Sequence, residues 1–329
     1  MKKIKFLNNK KAFDLPFSWI FALIVGAMIL FLAIYGTSRF IQSSQYEQYT
    51  EAAKSITILL DPLETGIADA KGNVINFKKE TRTEYNCFLP AIDDSFGKQT
   101  LSFSEKSSFG EWAKQGGEIT IRNKFIFSDQ VEQGNNLYLF SKPFYFGFKV
   151  GDIIVATSKD YCFVSSPNVV QESIGQLGLS NLNMSEDIRY CGEEDVSVCF
   201  GSANSVSGCD IRVYSDDGYE TGYVKKQGQE LVYSGNLLYG AIFSDGFIYE
   251  CNVKRFGAKI SELAEIYNGK IDLVSQRGCN SLIQTHLTIL GSAKDKQTYQ
   301  EIIGLYNIAQ EMDRANKDAS CRIYLGEDY

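Results

Sequence analysis

Histidine is almost missing from this 329-residue chain, with His286 its only example. No two of the eight cysteines are separated by two to four residues, so the ligand spacing of a structural zinc site is lacking as well. Gly-x-Gly-x-x-Gly, P-loop, His-Glu-x-x-His, Gly-x-Ser-x-Gly and complete calcium-loop patterns do not occur, which removes the usual sequence grounds for an enzyme or a cofactor. Positive charge is scarce after residue 40, where 27 basic residues face 39 acidic ones for a net of −12. A surface of that sign is repelled by phosphate backbones, so no nucleic-acid partner is expected. Charge of either sign is missing from Leu15 to Ser38, and no comparable apolar run follows.

That run, LPFSWIFALIVGAMILFLAIYGTS, is long enough to cross a bilayer as a helix, with Asp14 and Arg39 as its bounding charges. Lys2, Lys3, Lys5, Lys10 and Lys11 precede it and stay cytoplasmic by the positive-inside rule. The roughly 290 residues after Arg39 are therefore expected outside the cytoplasm, on a single-pass protein of the cell membrane whose first partner is the lipid bilayer. The run exceeds a signal-peptide core of about 7 to 15 residues and continues into more helix, which favours retention. From Arg39 to Asp61 there is no glycine or proline, and Tyr49, Ala52, Ala53, Ile56, Leu59, Leu60 and Leu63 fall close to one helical face. Pro62 ends the pattern, so the predicted helix from Pro16 to Asp61 is about 70 Å long, half in lipid and half a stalk.

Lys10, Lys11, Ala12 and Phe13, set before the apolar run, resemble the leader of type IV pilin-like proteins, in particular the archaeal class III signal. The resemblance covers about the first 50 residues. It implies cleavage by a dedicated peptidase after Ala12, Phe13 as the new N-terminus, assembly with other copies or pilin-like subunits through the helix, and an outer half packed on a globular head. Phe17 departs from the pattern where bacterial pilins carry glutamate, and Pro16 occupies the first turn, where proline is tolerated. A plain uncleaved signal anchor fits the same residues. The overall layout resembles uncharacterised single-span surface proteins of archaea.

All eight cysteines, Cys87, Cys162, Cys191, Cys199, Cys209, Cys251, Cys279 and Cys321, lie beyond the anchor, and an even number in an oxidising compartment reads as disulfides. At least one bridge is expected among Cys191, Cys199 and Cys209, where it would tie a Gly, Ser and Asn rich stretch by about 3 kcal/mol. Cys279 with Cys321 is the best single pair, because it joins the ends of neighbouring antiparallel helices.

The fold class expected is α+β: residues 1–12 a lysine-rich leader, 13–62 the transmembrane and stalk helix, 63–250 a β-rich extracytoplasmic domain, and 251–329 a helical C-terminal segment. Strands are read at VINF, EITIR, KFIF, NLYLF, PFYFGF, DIIVAT, DIRVY, YVKK and ELVY, the last two joined by Gln227, Gly228 and Gln229 as a hairpin loop. Short helices are expected at Asn168 to Leu177 and around Leu237 to Phe243. Three apolar faces then predict three helices: Phe256, Ile260, Leu263, Tyr267, Ile271 and Val274; Leu282, Ile283, Leu287, Ile289 and Leu290; and Tyr299, Ile302, Ile303, Tyr306, Ala309 and Met312. These helices are expected to cover the stripe of the stalk.

Isolated residues with chemical potential all have blander explanations. Ser95 and Lys98 spell Ser-x-x-Lys without companion motifs. Asp216, Asp217, Gly218 and Glu220 suit a turn before a hairpin better than a calcium site. His286 and Cys279 stand seven residues apart, and the run Glu193, Glu194 and Asp195 reads as a solvated turn. Asn183 begins the only N-glycosylation sequon, Asn-Met-Ser. The 19 tyrosines and 22 phenylalanines suit sugar or peptide contacts, but sheet packing explains most of them first. The expected function is therefore that of an anchored structural or surface-interaction protein, with an anchored solute- or envelope-binding module as the alternative and an anchored enzyme the weakest reading.

Overall fold

The computed structural model describes residues 17–59 and 72–326 apart from 93, 108–109, 206, 216, 280 and 320. The leader residues Lys10, Lys11, Ala12 and Phe13, and the helix stop at Pro62, lie outside these described residues. Helix α1 (Phe17–Leu59) runs unbroken for 43 residues. It is the one described helix long and apolar enough to cross a membrane. Residues 17–41 are exposed along their whole length, whereas Tyr49, Ala53 and Ile56 are buried.

The first sheet contains β1 (Asn73–Phe88), β2 (Lys98–Glu105), β3 (Ile119–Ile121), β4 (Phe125–Phe127), β5 (Val131–Phe146) and β6 (Phe148–Thr157), in the order β3-β2-β1-β5-β6-β4. All pairings are antiparallel except β4 with β6. NLYLF and PFYFGF, read as two strands, form one: β5 runs through Pro143, because past Leu139 it pairs with β6 alone and proline is tolerated at such an edge. Gly147, at φ +79, makes the turn into β6.

The two ends of this sheet approach each other. The buried Gln99 carboxamide on β2 donates to Ile126 O and accepts from Ile126 N on β4, both at 2.8 Å, imitating a strand partner. Fully buried Arg255 completes the seam, donating to Phe96 O, Gln99 Oε1, Lys124 O and Asn252 Oδ1 while lying 4.7 Å over the Phe125 ring. Desolvation pulls its pKa down to about 10.

The second sheet contains β7 (Tyr161–Val164), then, after α2 (Asn168–Gly175), β8 (Leu182–Ser185), β9 (Val196–Phe200), β10 (Ile211–Tyr214), β11 (Thr221–Lys226) and β12 (Gln229–Ser234), in the order β12-β11-β10-β9-β7-β8. Strands β8, β7, β9 and β10 are parallel, and β10 to β12 antiparallel. Lys226 pairs with Gln229, so the hairpin loop is two residues, Gln227 and Gly228, and not three. Both have positive φ, the geometry that matches strand twist.

Then come α3 (Leu237–Phe243), α4 (Gly246–Ser275), α5 (Gln284–Leu290), α6 (Tyr299–Ile303) and α7 (Tyr306–Asp318). Asp245 caps α4 by accepting from Ile248 N. This helix therefore starts five residues before Cys251, inside the stretch expected to be β-rich. The third expected helix is two, α6 and α7, divided at Gly304 and Leu305. Its apolar stripe is still buried at Tyr299, Ile302, Ile303, Ala309 and Met312. On the second expected face Ile283, Leu287 and Leu290 are buried, whereas Leu282 and Ile289 are exposed, at 83% and 38%.

One large core joins the inner face of the first sheet, the second sheet and the helices, with Phe256 of α4 stacked on Phe125 at 3.9 Å and tilted against Phe144 at 4.6 Å between ring centres. On the opposite face Leu101, Phe103, Ile121, Ile126 and Ile154 meet Tyr49, Ala53 and Ile56 of the stalk. The stripe of the stalk is thus covered by β2 and β3, and α4 reaches that cluster only through Ile248 and Cys251. A pleated sheet has two apolar faces to bury, and the C-terminal helices already occupy the other one.

The bridges are Cys87–Cys251, Cys162–Cys191, Cys199–Cys209 and Cys279–Cys321. Two of them share one side of the second sheet with Val164, Ile188 and Ala203, a small cluster that covers the face where a parallel sheet ordinarily carries helices.

Candidate functional site

The residues that the sequence singled out do not converge. Ser95 lies in a turn, and Lys98 sits over the Phe88 ring at 5.6 Å. Asp217 accepts from Thr221 N and Oγ1 and from Ser215 Oγ; burial pushes its carboxyl up, but those bonds hold it below the ordinary value. Asp216 lies outside the described residues. Cys279 is bridged to Cys321, which rules out a pairing with His286; the imidazole Nε2 stands 4.0 Å from Glu311. Glu193 and Glu194 are exposed in a turn closed by Gly192 N donating to Asp195. Asn183 is exposed, on edge strand β8 and not on a loop. No group of three His, Cys, Asp or Glu side chains suited to a metal occurs among the described residues.

The hollows of the described surface differ in their chemistry. One of about 290 Å³ lies between stalk and head, where Trp112 has Arg82 4.2 Å and Lys106 5.5 Å from its ring centre. Its ion pairs close on themselves, Lys79 with Glu105 at 3.3 Å and Lys106 with Glu80 at 2.7 Å, which makes it a docking joint. Another, of about 270 Å³, opens at the carboxyl ends of β7, β8 and β9, the usual ligand position of parallel sheets. There the Arg189 guanidinium is turned back on Asp187 by three bonds of 2.7 to 3.1 Å, holding that carboxyl down at about 2.

The third is a tyrosine cleft. Two adjoining hollows of about 250 and 100 Å³ share a wall of Tyr145, Glu220 and Tyr306, and together reach the low end of the ~300–1,000 Å³ typical of small-ligand pockets. Strand β5 contributes Pro143 and Tyr145, the loop before β11 Tyr219 and Glu220, and the turn before α3 Asn236. Helix α3 adds Tyr239, and α7 supplies Tyr306, Gln310, Asp313, Arg314 and Lys317.

Each wall is held from behind. Asn236 Nδ2 donates to Pro143 O at 2.8 Å, fixing the turn to the sheet. Tyr306 OH donates to Glu220 Oε2 at 3.2 Å, and the Tyr306 ring meets Phe146 at 5.7 Å. Lys317 pairs with Asp313 at 2.9 Å. Tyr219 has φ +76, a conformation costly for a large side chain and found mainly where the surroundings over-determine it. Burial raises the pKa of Tyr219 and of Tyr239, so both phenols stay neutral at physiological pH.

The cleft was not legible in the sequence because its tyrosines lie as far apart as Tyr145 and Tyr306 and each looks like ordinary packing. Its one local signal is Gly218 and Tyr219 in a turn, which marks a bend and no ligand. The chain matches no protein-family model, no curated protein and no solved structure.

Proposed function

We propose that this chain is a membrane-anchored extracytoplasmic surface-interaction protein, with a disulfide-stapled head held on its own membrane helix. The observation that carries this reading is the continuity of α1: bare and apolar over residues 17–41, then buried at Tyr49, Ala53 and Ile56 under β2 and β3. A head fixed in this way keeps one orientation to the bilayer and turns its remaining surface toward partners. The four bridges agree with an oxidising compartment. In native membranes the chain should resist carbonate extraction and lose its head to protease added outside. Release by carbonate, or protection of the head in intact cells, refutes the assignment.

A pilin-like subunit is the second reading, favoured by a helix with one half laid on a mainly antiparallel sheet and the other half free to bundle with copies of itself. It requires a native N-terminus at Phe13, and replacement of Ala12 by a bulky residue should block maturation without affecting insertion. A lysine-rich tail retained through Ala12 in the native protein removes this reading and leaves the anchored one.

A further inference from the structure

We propose that the tyrosine cleft is a saccharide-binding site that takes an uncharged pyranose of an oligosaccharide chain, a proposal that rests on the head being a surface-interaction module. A pyranose has two requirements: a flat aromatic face for its C–H surface, and planar polar groups that engage neighbouring hydroxyls in pairs. Tyr145 and Tyr306 are half-buried where the two hollows meet, leaving part of each residue accessible. Glu220, Gln310 and Arg314 bring a carboxylate, a carboxamide and a guanidinium to the same walls, the planar groups that bond in pairs.

Charge narrows the choice. Glu220 and Asp313 balance Arg314 and Lys317, so the cleft has no net sign to recognise a phosphate or an ammonium group. Peptide recognition ordinarily uses a deep apolar pocket or a sheet edge, whereas both hollows are lined mainly by polar atoms. The volumes suit one or two sugar units and no larger aromatic cofactor. Tyr219, at φ +76 between Gly218 and Glu220, turns its ring onto Phe200 at 5.6 Å, so it backs the wall and leaves the sugar-facing role to Tyr145 and Tyr306.

The test is calorimetric titration of the full chain, in a detergent without a sugar headgroup, with trisaccharides of glucose, mannose, galactose and N-acetylglucosamine. At least one should bind with a Kd between about 10 μM and a few mM. Tyr306→Ala should weaken that binding about tenfold or more, as loss of an aromatic platform implies. Glu220→Gln, at an exposed position, should keep the fold by circular dichroism and weaken binding about fivefold. Trp112→Ala, in the hollow beside the stalk, should leave it unchanged.

No binding of any of the four sugars overturns the proposal, as does binding that survives both cleft variants or is lost only with Trp112→Ala. Membrane retention is read separately on the same preparations. A retained chain that binds no sugar loses the saccharide site and keeps the anchored reading. A carbonate-released chain that binds sugar through the cleft does the reverse.

Discussion

Glu132 is a carboxylate only 1% exposed, accepting from Ser158 N at 2.7 Å and Ser158 Oγ at 2.6 Å. Burial, the larger effect, outweighs those bonds and pushes its pKa from 4.5 up to about 7. A carboxyl that holds its proton more tightly when folded gives stability that is complete below the unfolded pKa and declines as pH rises through the folded one. Between about pH 4.5 and 7 the expected loss is on the order of 3 kcal/mol. Glu132→Gln keeps an acceptor for Ser158 and removes the charge, so chemical denaturation across this window should show the decline in the parent and a flatter profile in the variant. Parallel profiles would mean that Glu132 does not titrate there. At Arg255 the cost does not depend on pH, because Arg255→Ala leaves Gln99 Oε1 and Asn252 Oδ1 buried without this donor and opens the seam between β2 and β4. About 3 kcal/mol or more should be lost in the same measurement. Neither residue was legible as important in the sequence, where Glu132 alternates with neighbours in a strand and Arg255 sits in an amphipathic helix. Burial of a charge is decided by what folds over it.

At the scale of elements, the joint between stalk and head depends on close backbone approach. A Cβ added at Gly116 would stand 2.7 Å from Tyr49 Cβ and 2.9 Å from Thr50 N, while Gly117 N donates to Thr50 Oγ1 at 2.8 Å. Gly116→Ala should therefore separate α1 from β2 at a cost of about 1–3 kcal/mol. Hydrogen exchange should quicken over residues 45–56 and stay unchanged in α4. Gly269→Ala is the contrast, since this exposed position in α4 has nothing within 4 Å of the added carbon. It should stabilise by about 0.5–1 kcal/mol through helix propensity. Single elements were readable wherever the pattern was local: α3 occupies the predicted Leu237–Phe243, α2 begins at Asn168, and β10, β11 and β12 fall on DIRVY, YVKK and ELVY. The failures were of continuity. Apolar periodicity runs across Gly304 without a break, and β5 crosses Pro143 because its pairing there is one-sided, neither of which shows in composition.

Across the whole molecule the four bridges close loops of very different length, from 10 residues for Cys199–Cys209 to 164 for Cys87–Cys251. Loop entropy makes the long bridge worth about 5 kcal/mol and the short one about 3 kcal/mol. Paired Cys→Ser variants should fall in that order on denaturation, and the unreduced parent should gain no mass on alkylation. The reverse order would place the value of Cys199–Cys209 in the small cluster it packs into. Some of this was settled by the chain itself. A charge-free apolar run and its glycine-free continuation are one-dimensional properties, so a long N-terminal helix followed from them; local strand runs and apolar helix faces pointed to an α+β body and, through the ends of neighbouring helices, to Cys279 with Cys321. Tertiary structure decided the rest: the division of the strands into two six-stranded sheets, a stalk laid on β2 and β3 in place of the C-terminal helices, and tyrosines from residues 145, 219, 239 and 306 gathered at one cleft. The physical reason is that periodicity records which face of an element is apolar, whereas the partner that covers it depends on contacts between segments the sequence keeps far apart.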